Sequence, residues 1–162
     1  MAMVEIRFTA LAAHVRTARL VAVAVARRAR VSDEVLDEVR LAVGEACSRA
    51  VALHRRHAPT EPIVMRLTDG ATTFRVEVCD SGPADAAMPR GDAVGVDVDP
   101  ERWDRDGAAA DALPPGFGLA VIAGLVDHVD VVPALPTGTR VTMSWPIPVI
   151  EQPVAGAGGA RR

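Results

Sequence analysis

Residues 33–54 read DEVLDEVRLAVGEACSRAVALH. Val35, Val39, Ala42, Ala46 and Ala50 recur at three- and four-residue steps, and Leu36, Val43, Cys47 and Val51 widen the stripe. That period predicts an amphipathic helix with one face in the core. Ser32 stands at the N-cap position, and Asp33 and Glu34 put negative charge in the first turn, where the helix dipole favours it. Glu45 departs from the pattern: it falls between Val43 and Ala46, at the edge of the apolar stripe, where an unpaired carboxylate is costly. Arg49, four residues on, projects from the same face. Two readings are open. One is an i,i+4 ion pair at the border of the core, worth about 0.3–0.5 kcal/mol. The other is a carboxylate placed for general-base work, with its helix as one wall of a site.

The 162 residues are enough for one domain with a real core. Hydrophobic residues make up 49% of the chain and the net charge is −3, a balance that fits an ordinary globule and argues against general nucleic-acid affinity. Lys, Asn and Tyr are absent while Ala, Arg, Val, Asp and Gly abound, a bias we ascribe to GC-rich coding rather than to function. Cys47 and Cys79 are unclustered, which predicts free thiols in a reducing compartment and no metal site. The opening MAMVEIRF lacks the features of a signal peptide, and no stretch reaches the ~18 apolar residues of a membrane span. The expected location is cytoplasmic.

Around the central helix the other elements fall into order. Val4, Ile6 and Phe8 alternate with polar residues, as in a half-buried strand. A helix follows from Leu11 to about Arg30, with Val15, Ala18, Ala22 and Val25 as its inner row. At 100° per residue Arg16, Arg19, Arg27 and Arg30 lie within roughly 80° of one another on the outer side. That stripe is either a solvated face or a docking surface for an acidic partner. After the polar break at 55–62, Ile63, Met65 and Leu67 pair across a turn at Asp69-Gly70 with Phe74, Val76 and Val78, a hairpin. The second strand runs out at Cys79-Asp80-Ser81-Gly82. Residues 83–115 carry no periodicity, which fits a lid or loop. Gly116-Phe117-Gly118 then opens a helix, a place where bare N–H groups and the dipole can cradle an anion. Val129–Val132 is a strand, Thr137-Gly138-Thr139 a turn, and Val141, Met143 and Trp145 the last strand. The Pro-, Gly- and Ala-rich residues 147–162 are expected to be a disordered tail. The prediction is one α+β domain over 1–146, a two-layer sandwich of a mixed sheet with helices on one face.

Glu45-ACSR-Arg49 on a helix, Asp80-Ser-Gly82 at a strand end, Gly116-Phe-Gly118 opening a helix and Gly138-Thr139 before the last strand stand in a familiar order. Together they resemble the GHKL (Bergerat-type) ATP-binding fold of gyrase, histidine kinases and their relatives. Within it, the stretches at 6–19 and 38–51 look like those of the anti-sigma-factor serine kinases of bacterial partner-switching systems. The resemblance implies ATP and Mg²⁺ as ligands and a role for each matching residue. Glu45 would be the general base. Asp80 would accept a hydrogen bond from the adenine amino group, with Gly82 and Thr139 in the same pocket. Gly116, Phe117 and Gly118 would meet the phosphates. Arg19, with Arg16 on the same stripe, would grip protein partners: a sigma factor, and an anti-anti-sigma (STAS-type) antagonist phosphorylated on serine. Relatives of this type often pair as homodimers, and a homodimer is among the expectations.

Three positions depart from the family pattern. Its magnesium-binding Asn falls at Arg49, whose guanidinium has no lone pair for a metal. Arg49 would then either neutralise phosphate charge or pair with Glu45 and take the base out of use. Ala84 replaces a glycine of the adenine loop, and Pro114-Pro115 stands where close relatives carry an arginine. Two functions follow: an ATP-binding anti-sigma kinase with Mg²⁺ held mainly by phosphate and water, or a catalytically inactive protein-binding switch of the same fold. A histidine-kinase fragment is a third reading, with no phospho-accepting dimerisation helix to support it.

Overall fold

The computed structural model describes residues 1–83, 122–124 and 126–148. Strand β1 (Ala2–Phe8) is followed by helix α1 (Ala12–Arg28), a single 3₁₀ turn (Asp33–Val35) and helix α2 (Leu36–His57). Strands β2 (Ile63–Asp69), β3 (Thr73–Cys79), β4 (His128–Pro133) and β5 (Thr139–Pro146) complete the sheet. The expected lid, the Gly116–Gly118 turn and most of the tail lie outside the described residues.

The sheet order is β1-β2-β3-β5-β4. The α+β class and the layering are as expected, but the sheet is antiparallel throughout its described pairings rather than mixed. The cause is the connectivity. Helices α1 and α2 together return the chain to the end it left, so β2 starts beside the end of β1, with Phe8 opposite Ile63. Strands β3 and β4 do run in the same direction, yet β5 lies between them, so their parallel relation never becomes a pairing. A β4–β5 hairpin that docks through β5 leaves every neighbour antiparallel.

Alternation decides which face is covered. Ile63, Met65 and Leu67 on β2, Phe74, Val76 and Val78 on β3, and Val141, Met143 and Trp145 on β5 are all buried. They meet α1 and α2 as one core, and Phe74 and Trp145 face each other across the strands with ring centroids 6.1 Å apart. The opposite face carries charge: Glu5 bridges Arg7 at 2.9 Å and Arg66 at 2.8 Å.

Small side chains set how closely the helices approach. Ala18, Ala22 and Ala26 on α1 are fully buried, with Val15, so the inner row ends at Ala26 where Val25 was expected. Helix α1 closes in a Schellman arrangement: Arg30 N–H donates to the Arg27 carbonyl at 3.0 Å and Val31 N–H to the Ala26 carbonyl at 3.1 Å. That geometry holds Arg30 at φ 64°, a left-handed conformation more usual for glycine. Ser32 makes no side-chain cap. Its carbonyl accepts from Val35 N–H, and the 3₁₀ turn takes the first residues expected of the helix. No helix among the described residues is long and apolar enough to cross a membrane.

Candidate functional site

Asp80 lies one residue beyond β3, where the strand delivers it to the start of β5. Its own N–H donates to the Thr139 carbonyl at 2.9 Å. Its Oδ1 accepts from Gly82 N–H at 3.0 Å and from Thr139 N–H at 3.2 Å. The carboxylate is 4% exposed, so these amides replace the water it has lost. Gly138 makes this corner possible. It sits at φ +111°, and a Cβ there would run into the Asp80 carbonyl oxygen. Gly82 is also pressed closely: an added Cβ would lie 3.1 Å from Leu53 Cβ and 3.3 Å from Asp80 Oδ1.

The second carboxylate oxygen goes to Arg49, whose Nη1 donates to Asp80 Oδ2 at 3.1 Å. Of the two readings open for Glu45 and Arg49, the i,i+4 pair is the one the side chains do not make. Among the described residues no ion pair joins Arg49 to Glu45; Arg49 reaches across to β3's end instead. The reason is reach and geometry: both amides take Asp80 Oδ1, which leaves Oδ2 facing the guanidinium that the fold brings to it.

Glu45 is left inside α2 at 6% exposure. Burial pushes its pKa above the ordinary carboxylate value of 4.5, and the positive charge of Arg19 pulls the other way. A carboxylate with a raised pKa holds a proton more readily, as a general base for a hydroxyl must. Two residues on, burial pushes the Cys47 thiol up to about 12, so it serves as a small core residue and not as a nucleophile.

Arg19 does not share the surroundings of the other stripe residues. Arg16, Arg27 and Arg30 are exposed, whereas Arg19 is half-buried. Its guanidinium lies in a notch on α2 left by Gly44: a Cβ there would collide with Arg19 Nε and come within 2.8 Å of its Cζ. Nε is buried with no hydrogen-bond partner among the described residues. The mid-helix glycine was a legible signal that went unused, because glycine costs about 1 kcal/mol relative to alanine in a helix and so marks a close approach.

Asp80, Gly82, Thr139 and Arg49 thus come together, while Glu45 on α2 and Arg19 on α1 form a second group between the two helices. Gly116, Phe117 and Gly118 lie outside the described residues. The Thr139 hydroxyl is buried beside Asp80 with no partner among the described residues. The orphaned hydroxyl and the half-buried, apolar Leu53 suit the polar edge and flat face of a purine, whereas the two glycines make room for the chain's own atoms. The donor set does not fit a protein-held Mg²⁺. Arg49 offers only N–H groups, and no cluster of three His, Cys, Asp or Glu among the described residues could hold a metal. His54, read only as a helix residue, proves to contact the Asp80 loop.

No curated protein matches the chain. Its fold is similar to that of the RsbU and RsbW domains of Rv1364c from Mycobacterium tuberculosis, with a TM-score of 0.58 and 18% identity. That match covers 89% of this chain and 32% of the other, so the present chain spans about a third of its length. A family model described as the histidine kinase-like ATPase domain matches residues 8–145. Running from the end of β1 to the end of β5, that match takes in the Asp80 corner and both helices, and the chain belongs to the histidine kinase-like ATPase domain family.

Proposed function

We propose that this chain is an ATP-binding anti-sigma factor of the partner-switching type, which sequesters a sigma factor and phosphorylates a serine of a STAS-type antagonist. Family membership implies a nucleotide site, and the single observation that carries the finer reading is the division of labour between two buried carboxylates. Asp80 is fixed by amides beside an orphaned hydroxyl, as suits recognition of a base. Glu45 carries a raised pKa on the neighbouring helix, as suits proton transfer. ATP supplies the transferable γ-phosphoryl group. Glu45 takes the proton of the attacking serine hydroxyl; the serine oxygen bonds to the γ-phosphorus as the bond to the bridging oxygen of ADP breaks. Gly116, Phe117 and Gly118 are assigned to the phosphates, with Mg²⁺ held by phosphate and water. The exposed Arg16, together with Arg19, is assigned to partner contact, and homodimerisation and a cytoplasmic location belong to the same reading.

One observation favours a second reading. The Arg49–Asp80 pair fills the lone pair that an adenine amino group would use, which suits a protein-binding switch without catalysis. Calorimetric titration with ATP, with and without Mg²⁺, separates the two on the native chain and on Arg49→Asn. Binding by the native chain followed by phosphate transfer to a STAS-type protein supports the kinase. Binding by Arg49→Asn alone supports the switch, and binding by neither removes the nucleotide assignment.

A further inference from the structure

His54 is the one histidine in the core, at 0% exposure, and both its ring nitrogens meet main-chain groups. Ser81 N–H donates to Nε2 at 2.8 Å, and Nδ1 lies 3.0 Å from the Glu61 carbonyl oxygen. An amide N–H can only donate and a carbonyl can only accept. The two contacts therefore admit one arrangement, a neutral ring with its hydrogen on Nδ1, donating to Glu61 while the Nε2 lone pair receives Ser81.

The peptide held in this way is the Asp80–Ser81 peptide. Its N–H faces His54, and its C=O faces the space that Gly138 leaves open. With both sides of that peptide plane fixed, the backbone on either side is fixed too. Asp80 then points its carboxylate at Thr139 and Gly82, and Gly82 turns its N–H back onto Oδ1. The far nitrogen ties the ring to Glu61, in the segment joining α2 to β2, so the ring cannot rotate without losing a buried bond.

We propose that His54 is a positioning residue for the base-binding corner: as the Nδ1-protonated tautomer it sets the plane of the Asp80–Ser81 peptide, and through it the aim of the Asp80 carboxylate and the Gly82 amide. The proposal rests on the reading of this corner as a nucleobase site, and it names a residue that touches no ligand itself. A histidine serving only to fill the core would need neither tautomer nor acceptor.

The experiment uses the full chain and its His54→Phe and His54→Gln variants. Long-range proton–nitrogen spectra of the native histidines should show a core ring protonated at Nδ1. Amide exchange should show Ser81 and Gly82 protected. In His54→Phe, which keeps a flat ring but has no ring nitrogen, both amides should exchange about tenfold faster or more while β2 and β3 stay protected, and ATP affinity should fall about tenfold. His54→Gln can place its side-chain oxygen near the Nε2 position and should restore part of both. An Nε2-protonated ring, or unchanged Ser81 exchange in a folded His54→Phe, overturns the proposal. If His54→Phe does not fold, the native tautomer and the exchange of His54→Gln decide. Absence of ATP binding by the native chain would overturn the nucleobase reading alone, and the exchange rates would still decide what His54 holds.

Discussion

Helix α2 contributes to two charged corners that are built in opposite ways. At the Asp80 corner the carboxylate meets two amides and a guanidinium, all between 3.0 and 3.2 Å, and the adjoining peptide is tied to His54. One turn earlier, among the described residues, Glu45 accepts no hydrogen bond and Arg19 stands near it with a buried Nε that has no partner. The first corner is tied at its carboxylate and at its peptide, so it is rigid, and only the Thr139 hydroxyl is left over among the described residues. The second retains unspent electrostatic potential, which costs stability and leaves a carboxylate able to exchange a proton. A recognition element gains from the first condition and a general base from the second.

The largest effect should come from spoiling the Asp80 corner through its backbone. Gly138→Ala must place a Cβ at the Asp80 carbonyl and hold a non-glycine at φ +111°, so it should lose about 2 kcal/mol or more. Urea denaturation should show a lower midpoint with an unchanged slope. A midpoint like that of the native chain would mean that β5 can shift and that Asp80 is not pinned.

Next comes the side-chain pair. Asp80→Ala strips the acceptor from two amides and removes one partner of a mostly buried guanidinium, a loss of about 2–3 kcal/mol. Arg49→Ala should cost less, because Asp80 keeps both amides. A double-mutant cycle by denaturation measures the coupling. An equal or larger loss for Arg49→Ala would make the guanidinium, and not the backbone, the main support of the carboxylate.

The smallest effect tests the other corner through pH. Because the folded pKa of Glu45 is raised above 4.5, the native state binds the proton more tightly than the unfolded chain. Stability from this group is therefore full below 4.5 and is lost as pH rises through the folded value. Glu45→Gln should remove that fall and be slightly more stable than the native chain at neutral pH, with a folded structure. Gly44→Ala, which displaces Arg19, should deepen the fall. Identical pH profiles for the native chain and Glu45→Gln would put the carboxylate in water and remove it as the base.

Much of this molecule could be read without coordinates. The period of residues 33–54, the alternation of β1 to β3 and the turn glycines report local preferences, and the structure honours each with shifts of a few residues. Asp80, Gly82 and Thr139 were legible because a carboxylate beyond a strand and a glycine before another are local signs. Glu45 was legible as an anomaly in a pattern. The destination of Arg49 was not, since sequence spacing proposed a neighbour four residues away while the structure supplied one 31 residues away. His54 was hidden for the same reason, because a histidine at the end of an amphipathic helix has no local feature that marks its partners.

By itself, then, the sequence determined the elements, the covered face of the sheet and the residue types from which a site could be built. These follow from side-chain periodicity and backbone preference, which act between near neighbours. The tertiary structure alone decided that β5 inserts beside β3, that Arg49 serves Asp80 and leaves Glu45 to Arg19, and that His54 holds Ser81. Those outcomes join residues far apart in the chain, 27 positions for His54 with Ser81 and 31 for Arg49 with Asp80, and buried polar groups choose among all partners the fold brings within reach.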